Sequence, residues 1–236
     1  MVVANLVLPR TLLAIIIFDH TCIWGVKIMV ISKVSVKLPN EDYLNSQGKT
    51  LTEKCADLTD YYLTQESWPS HQSVFKGVAE LYQLEFPPEA LRLLSGFTAG
   101  AGFTGEICGA LSGGIAVLGY IYGNDQPMDR ETYQTFVNTI MSEETSPREK
   151  AKRVLDAFSQ ETIFNRLVVK FKEKYGNVRC ADIIAPYQAD PISRKRFGRC
   201  RRVVSGTAAL TAQIIWEVET TQQPPAMGYN IYSHFF

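Results

Sequence analysis

The sequence predicts a mainly α-helical protein, folded as a single bundle-like domain around one buried, glycine-striped helix at residues 107–122. Apolar residues recur at spacings of three and four along most of the chain, and proline and glycine fall where helices begin and end. No convincing strand alternation follows the apolar N-terminal extension. At 236 residues, with 46% hydrophobic residues, the chain is long enough to bury a sizeable core. We expect the helical domain to span residues 51–218.

Residues 1–36 form the apolar N-terminal extension. It makes a poor secretory signal peptide, because no positive charge precedes its first apolar run and no small-residue cleavage site follows it. Asp19, His20 and Lys27 would be costly inside a membrane-spanning helix. We interpret the segment as a start-site artefact, with Met29 as the biological start. A membrane-associated segment and an ordinary packed extension are the alternatives.

Three short helices are predicted in the first part of the domain. Residues 51–65 carry an apolar stripe, and Ser70 is the N-cap candidate for a second helix that ends near Leu84. A proline pair then opens a helix at residues 89–94, since proline is well tolerated in a first helical turn.

The buried helix at 107–122 follows a glycine-rich loop at 96–105. Its sixteen almost wholly apolar residues are too few for a bilayer span, so a core helix is expected. Gly105, Gly109 and Gly113 recur every four residues and would let another helix backbone approach closely. A phosphate-binding loop is the alternative, but no GxxxxGK[ST] and no strand-linked GxGxxG is present.

Five further segments complete the domain. Helices are expected at residues 128–141, 147–158, 163–175, 180–184 and 203–218. The basic stretch SRKRFGRCRR is interpreted as a loop before the last helix, and residues 219–236 as a loosely packed tail.

The five cysteines are widely spaced, odd in number and free of CxxC pairs, so a disulfide-stapled secreted domain is disfavoured. They are Cys22, Cys55, Cys108, Cys180 and Cys200. A reducing compartment fits this usage, and we expect a cytoplasmic protein, with membrane association through the N-terminal segment as the alternative.

Three of these cysteines fall near predicted helix N-termini, where the helix dipole and free amides favour a thiolate. They are Cys108, Cys180 and Cys200. Six basic residues around Cys200 would lower the pKa of its thiol further. The alternative is that all three are small apolar core residues.

These motifs together resemble the C_GCAxxG_C_C family of putative redox-active proteins. The resemblance covers roughly residues 55–216 and rests on SGFTAGAGFTGEICGALSGGIAVLGYIYG, KFKEKYGNVRCADII and the GRC before the last helix. The core motif reads CGALSG here, so its Gly-Cys order differs from the family's label.

The resemblance implies a four-cysteine set suited to an iron–sulfur cluster, another metal or thiol–disulfide chemistry. Cys108, Cys180 and Cys200 match three of its members, and Ser70 stands where the first cysteine is expected. His71 would turn the set into a Cys₃His zinc site, and Cys55 is a further substitute.

The implied function is redox or electron-transfer activity through clustered thiols, with an unidentified redox partner. The alternative is a degenerate, non-catalytic relative that keeps the helical scaffold for binding or assembly, and a homo-oligomer is compatible with either. Lys plus Arg equal Asp plus Glu at 24 each, so global charge does not indicate nucleic acid. The basic stretch with Phe197 could bind nucleic acid, but a solvated surface or an anion site is favoured.

Overall fold

Nine α-helices form most of the part of the chain that the computed structural model describes, namely residues 34–40, 43, 48–158 and 161–236. In chain order they are α1 (Leu51–Thr64), α2 (Ser70–Leu81), α3 (Pro88–Leu94), α4 (Gly109–Tyr122), α5 (Arg130–Met141), α6 (Pro147–Ala157), α7 (Thr162–Tyr175), α8 (Cys180–Ile184) and α9 (Arg194–Thr221). The described residues form no strand; a single antiparallel bridge joins Ile107 and Arg179. The mainly α fold class is therefore confirmed.

The predicted N-terminal extension lies outside the described residues up to position 33. Two of its last residues, Val34 and Val36, pack against the core, and the N–H of Lys37, which follows the extension, donates to the Tyr82 carbonyl at 3.1 Å. Across the described ranges, every helix is too short or too polar to cross a membrane.

The 28-residue helix α9 is the axis of the bundle and packs against α1, α2, α4 and α7. Its inward face is made of small and branched residues, so the neighbouring helices come close enough to bond its backbone. The Tyr82 hydroxyl donates to the Ala212 carbonyl at 2.6 Å, and the Cys55 thiol donates to the Ala208 carbonyl at 3.4 Å. Such bonds satisfy polar groups that burial would otherwise penalise.

Helix α4 is the buried helix that the sequence predicts, and it packs against α2, α7 and α9. Its glycines allow this close packing. A Cβ at Gly113 would lie 2.2 Å from the backbone oxygen of His71, and a Cβ at Gly114 would lie 2.7 Å from Thr211 Oγ1. The packing interpretation of the glycine stripe is confirmed for Gly109 and Gly113. It is wrong for Gly105, which precedes the helix in a left-handed conformation, with φ of 78°.

Two of the helix starts that differ from prediction bear on the candidate site. Helix α9 begins at Arg194, capped by the Ser193 hydroxyl, which accepts from the Arg196 N–H at 3.3 Å. The basic stretch is therefore the first turns of α9 and not a loop, since arginine and lysine are good helix formers. In α2 the N-cap is Pro69, and Ser70 is already the first helical residue without a side-chain cap bond.

Helices α5 and α6 pack mainly on one another, with Phe136 and Phe158 in an edge-to-face contact at 5.9 Å. The C-terminal segment returns to α7, where the Asn165 side chain accepts from the Gly228 N–H at 2.9 Å and donates to the Tyr229 carbonyl at 3.0 Å. These contacts anchor part of the predicted tail, although Tyr229 and Ile231 remain exposed.

Candidate thiol cavity

A cavity of about 670 Å³, here called the thiol cavity, lies where α1 ends and α2, α4, α8 and α9 begin. It gathers the four candidate site residues from four different helices: His71, Cys108, Cys180 and Cys200. Ser70, which replaces the expected first cysteine, lines it as well. Segments more than one hundred residues apart thus meet at one end of the bundle.

The backbone bridge between Ile107 and Arg179 fixes two of the thiols. The Cys108 N–H donates to the Val178 carbonyl at 2.8 Å, and the Cys180 N–H donates to the Glu106 carbonyl at 2.5 Å. Cys108 and Cys180 therefore flank the bridged pair, one on each segment, and the two hydrogen bonds hold these segments together. Arg179 and Glu106 brace the bridge with an ion pair at 3.0 Å.

The glycine-rich loop forms a left-handed turn beside the cavity. Five consecutive residues, 99–103, have positive φ values between 49° and 83°. Glycine adopts this conformation freely, whereas each alanine or phenylalanine in it costs roughly 1–2 kcal/mol. The Phe103 N–H donates to the Thr98 carbonyl at 3.0 Å and holds the turn closed. The turn presents Thr98, Ala99 and Phe103 to the cavity.

Cys108 is the N-cap residue of α4 and the most buried of the three cavity thiols. Burial raises the pKa of its thiol to about 11, although the backbone amides of Leu111 and Ala110 act in the opposite direction. The neighbouring Cys180 and Cys200 raise it further, which means that the three thiols are close enough to interact electrostatically. Cys108 is therefore a neutral thiol near pH 7.

Cys180 and Cys200 are partly exposed. Burial raises the pKa of both thiols above the ordinary cysteine value, while the Arg196 guanidinium lowers both and Arg199 lowers that of Cys200. The expectation of a strongly lowered pKa at Cys200 is wrong, because burial outweighs the two arginines. Cys200 also lies inside α9, seven residues into the helix, and not at its N-terminus. Cys180 does begin α8, but that helix has only 5 residues and a correspondingly small dipole.

His71 is completely buried in the first turn of α2, and neither ring nitrogen has a hydrogen-bond partner among the described residues. Burial lowers its pKa, so the ring is neutral near pH 7. Its Nδ1 would lie 3.4 Å from a Cβ at Gly109, the residue after Cys108. The absence of a side chain at Gly109 thus lets the imidazole sit against the start of α4.

The donors do not fit a metal or cluster site in this arrangement. No group of three or more His, Cys, Asp or Glu side chains among the described residues could hold one ion. Ser70 supplies a hydroxyl where a thiolate would be needed, and serine is a poor ligand for a cluster. Cys55 does not replace it, since Cys55 is fully buried against α9 and does not line the cavity.

Sequence reasoning treats Arg196 only as one of the basic residues around Cys200, whereas in the structure its guanidinium acts on two cavity thiols. Its position four residues before Cys200 is the signal that could have found it, because residues at that spacing lie on one face of a helix.

One family model matches residues 70–214, from the first residue of α2 into α9, and its description is "Putative redox-active protein (C_GCAxxG_C_C)". The matched segment contains all three cavity thiols. No curated protein and no solved structure matches the chain. Because the matched segment covers more than half of the sequence, the chain belongs to the C_GCAxxG_C_C family of putative redox-active proteins.

Proposed function

We propose that the protein carries out thiol–disulfide exchange, with Cys200 as the attacking thiol and Cys180 as the resolving thiol. The observation that carries this proposal is that both thiols are partly exposed, line the same cavity and lie near the same Arg196, whose charge offsets part of the rise in pKa that burial causes. The charge of Cys200 also raises the pKa of Cys180, which supports a short distance between the two thiols. Exposure and a nearby cation are the properties that make a thiol reactive.

The exchange has two steps. The Cys200 thiolate attacks one sulfur of an external disulfide, so that a Cys200–sulfur bond forms while the external S–S bond breaks and its second sulfur leaves as a thiolate. The Cys180 thiolate then attacks the Cys200 sulfur and releases the first sulfur as a second thiolate. The protein dithiol gives up two electrons and its two protons, and the external disulfide becomes two thiols after protonation.

Cys108 is the third thiol and is less suited to either step. It is the most buried of the three thiols and mostly neutral, so it meets an external disulfide least readily. We assign Cys108 no covalent role in the forward reaction. The scheme depends on no metal.

The test is to oxidise the reduced protein with one equivalent of diamide and to map the disulfide by peptide mass spectrometry. We expect a Cys180–Cys200 bond, and we expect Cys180→Ser to stop at a mixed disulfide on Cys200 when an external disulfide is supplied. Cys108→Ser is the matched control: serine is a preferred N-cap residue, so α4 should stay capped while that thiol is removed.

A protein that forms no internal disulfide, or in which Cys108 replaces either partner, would contradict the scheme. The visible spectrum and metal content of anaerobically purified protein separate the other interpretations. Iron with sulfide would favour a cluster, and zinc would favour a site that recruits His71. Absence of both metal and disulfide formation would favour a scaffold role.

A further inference from the structure

We infer that the thiol cavity binds small-molecule disulfides that carry negative charge beside the reacting sulfur. This inference rests on the proposed exchange reaction and names its substrate class. Three independent features of the cavity lead to it: its charge, its size and its unsatisfied imidazole.

The charge of the lining is positive. Among the described residues, Arg194, Arg196 and Arg201 line the cavity, and no aspartate or glutamate does. Arg201 is paired with Asp60, while Arg194 and Arg196 form no ion pair with any described residue. The Arg196 guanidinium lies over the Phe197 ring at 5.2 Å, and its Nε is buried with no hydrogen-bond partner in the described part of the chain. Two uncompensated cations beside the thiols favour an anionic ligand.

The size and walls of the cavity suit a small organic molecule. A volume of about 670 Å³ is far larger than an inorganic anion needs and falls within the roughly 300–1,000 Å³ typical of small-molecule sites. Leu63, Ile183, Ile184 and Val203 supply apolar walls. A carbon framework would contact these walls while its acidic group met the arginines.

The two ring nitrogens of His71 are available to hydrogen-bond a ligand in the cavity. Its ring is fully buried, lines the cavity and has no partner for either nitrogen within the described part of the chain. A neutral imidazole offers one donor and one acceptor. A ligand with amide groups could satisfy both, whereas a purely hydrocarbon ligand could not. Glutathione disulfide, which combines carboxylates with amides, is therefore a suitable probe.

The experiment measures mixed-disulfide formation at Cys200 in the Cys180→Ser variant, which cannot resolve the intermediate. Three probes are compared: anionic glutathione disulfide, neutral 2-hydroxyethyl disulfide and cationic cystamine. Each rate is divided by the rate of the same probe with free N-acetylcysteine. We expect the normalised rates to fall in that order, with about a tenfold difference between the first and last that shrinks at high salt.

Arg196→Gln should remove most of this charge preference, and Lys195→Gln is its matched control. Lys195 is the adjacent, exposed cation on α9 and does not line the cavity, so its loss should leave the preference unchanged. Because Arg196 also acts on the thiol pKa, the ratio between probes is the readout and not the absolute rate. Equal normalised rates for the three probes, or an equal effect of both variants, would overturn the inference.

The role of His71 is tested by binding of the non-reacting probe S-methylglutathione to the reduced protein in a calorimeter. We expect His71→Phe to weaken binding about tenfold, without lowering the midpoint of thermal unfolding. Unchanged affinity would overturn the hydrogen-bonding role.

If diamide yields the Cys180–Cys200 disulfide but no charge preference is found, this inference fails and the proposed function stands. If no disulfide forms either, the proposed function itself has failed.

Discussion

Two opposing effects act on the thiol of Cys200. The guanidinium groups of Arg196 and Arg199 stabilise its thiolate, while burial removes water from the same charge and destabilises it. Burial is the larger effect, so the basic residues next to Cys200 in the sequence predict the wrong direction for its pKa shift. A cysteine among arginines is a reactive thiolate only if it is also well solvated, and solvation depends on how α9 packs.

The residue-scale prediction concerns the pH dependence of alkylation. The pKa values of all three cavity thiols are raised, so their thiolate fractions, and with them the rates of labelling by iodoacetamide, should still be increasing between pH 8 and pH 10. We expect Cys108, with a pKa of about 11, to label more slowly than the two partly exposed thiols. Peptide mass spectrometry after timed pulses measures each rate separately.

Arg199→Gln provides an internal control for that experiment. Arg199 lowers the pKa of Cys200 but is not one of the groups that shift the pKa of Cys180. The substitution should therefore slow labelling of Cys200 while leaving the labelling rate of Cys180 nearly unchanged. A Cys200 rate that reaches its plateau below pH 8 would show that the arginines dominate burial after all.

At the scale of one element, helix α4 explains why a helix interior contains so many glycines. A glycine in a helix costs about 1 kcal/mol relative to alanine, so each one needs a compensating contact. At Gly113 that contact is the backbone of α2, and at Gly114 it is the side chains of α7 and α9. At Gly119 the space is open, because the nearest atom to an added Cβ belongs to Phe164 at 4.0 Å.

Alanine substitutions at Gly113 and Gly119 should therefore have opposite effects. Gly113→Ala places a methyl 2.2 Å from the His71 backbone oxygen, and we expect it to lower the free energy of unfolding by roughly 1–3 kcal/mol. Gly119→Ala relieves the helix cost without a clash, and we expect a gain of up to about 1 kcal/mol. Urea unfolding measures both. Equal effects would mean that α2 does not rest on α4 at this point.

At the scale of the whole molecule, local patterns in the sequence predict most helices but not where their ends meet. The almost wholly apolar run after the glycine-rich loop and the proline pair at the start of α3 are sufficient to predict those helices. The convergence of Cys108, Cys180 and Cys200 was expected from the family resemblance. The cavity itself could not be predicted, because it depends on a backbone bridge at Ile107 and on a left-handed turn that no short motif encodes.

The missing fourth thiol offers a test of the whole arrangement. Ser70 lines the cavity with the three thiols, and its Oγ would lie 2.9 Å from a Cβ at Gly109, next to Cys108. Ser70→Cys would supply a fourth thiolate, the ligand that zinc and cobalt favour in tetrahedral sites. Because no three donors among the described residues, the native thiols included, could hold one ion, we expect this variant to bind Zn²⁺ and Co²⁺ no more tightly than the wild type.

An ion shared by α2, α4, α8 and α9 would link segments that are distant in the sequence, and it would bind only the folded chain. Binding should therefore raise the free energy of unfolding, by about 2.7 kcal/mol at a free metal concentration one hundred times the Kd. Thermal unfolding with and without Zn²⁺, reversed by a chelator, measures this gain, and the cobalt–thiolate absorption reports the ligands. Ser70→Ala is the matched control, since it removes the hydroxyl without adding a thiol. We expect zinc to shift Ser70→Cys and Ser70→Ala equally, and a gain confined to Ser70→Cys would show that the four positions approach one another in solution more closely than in the arrangement described here.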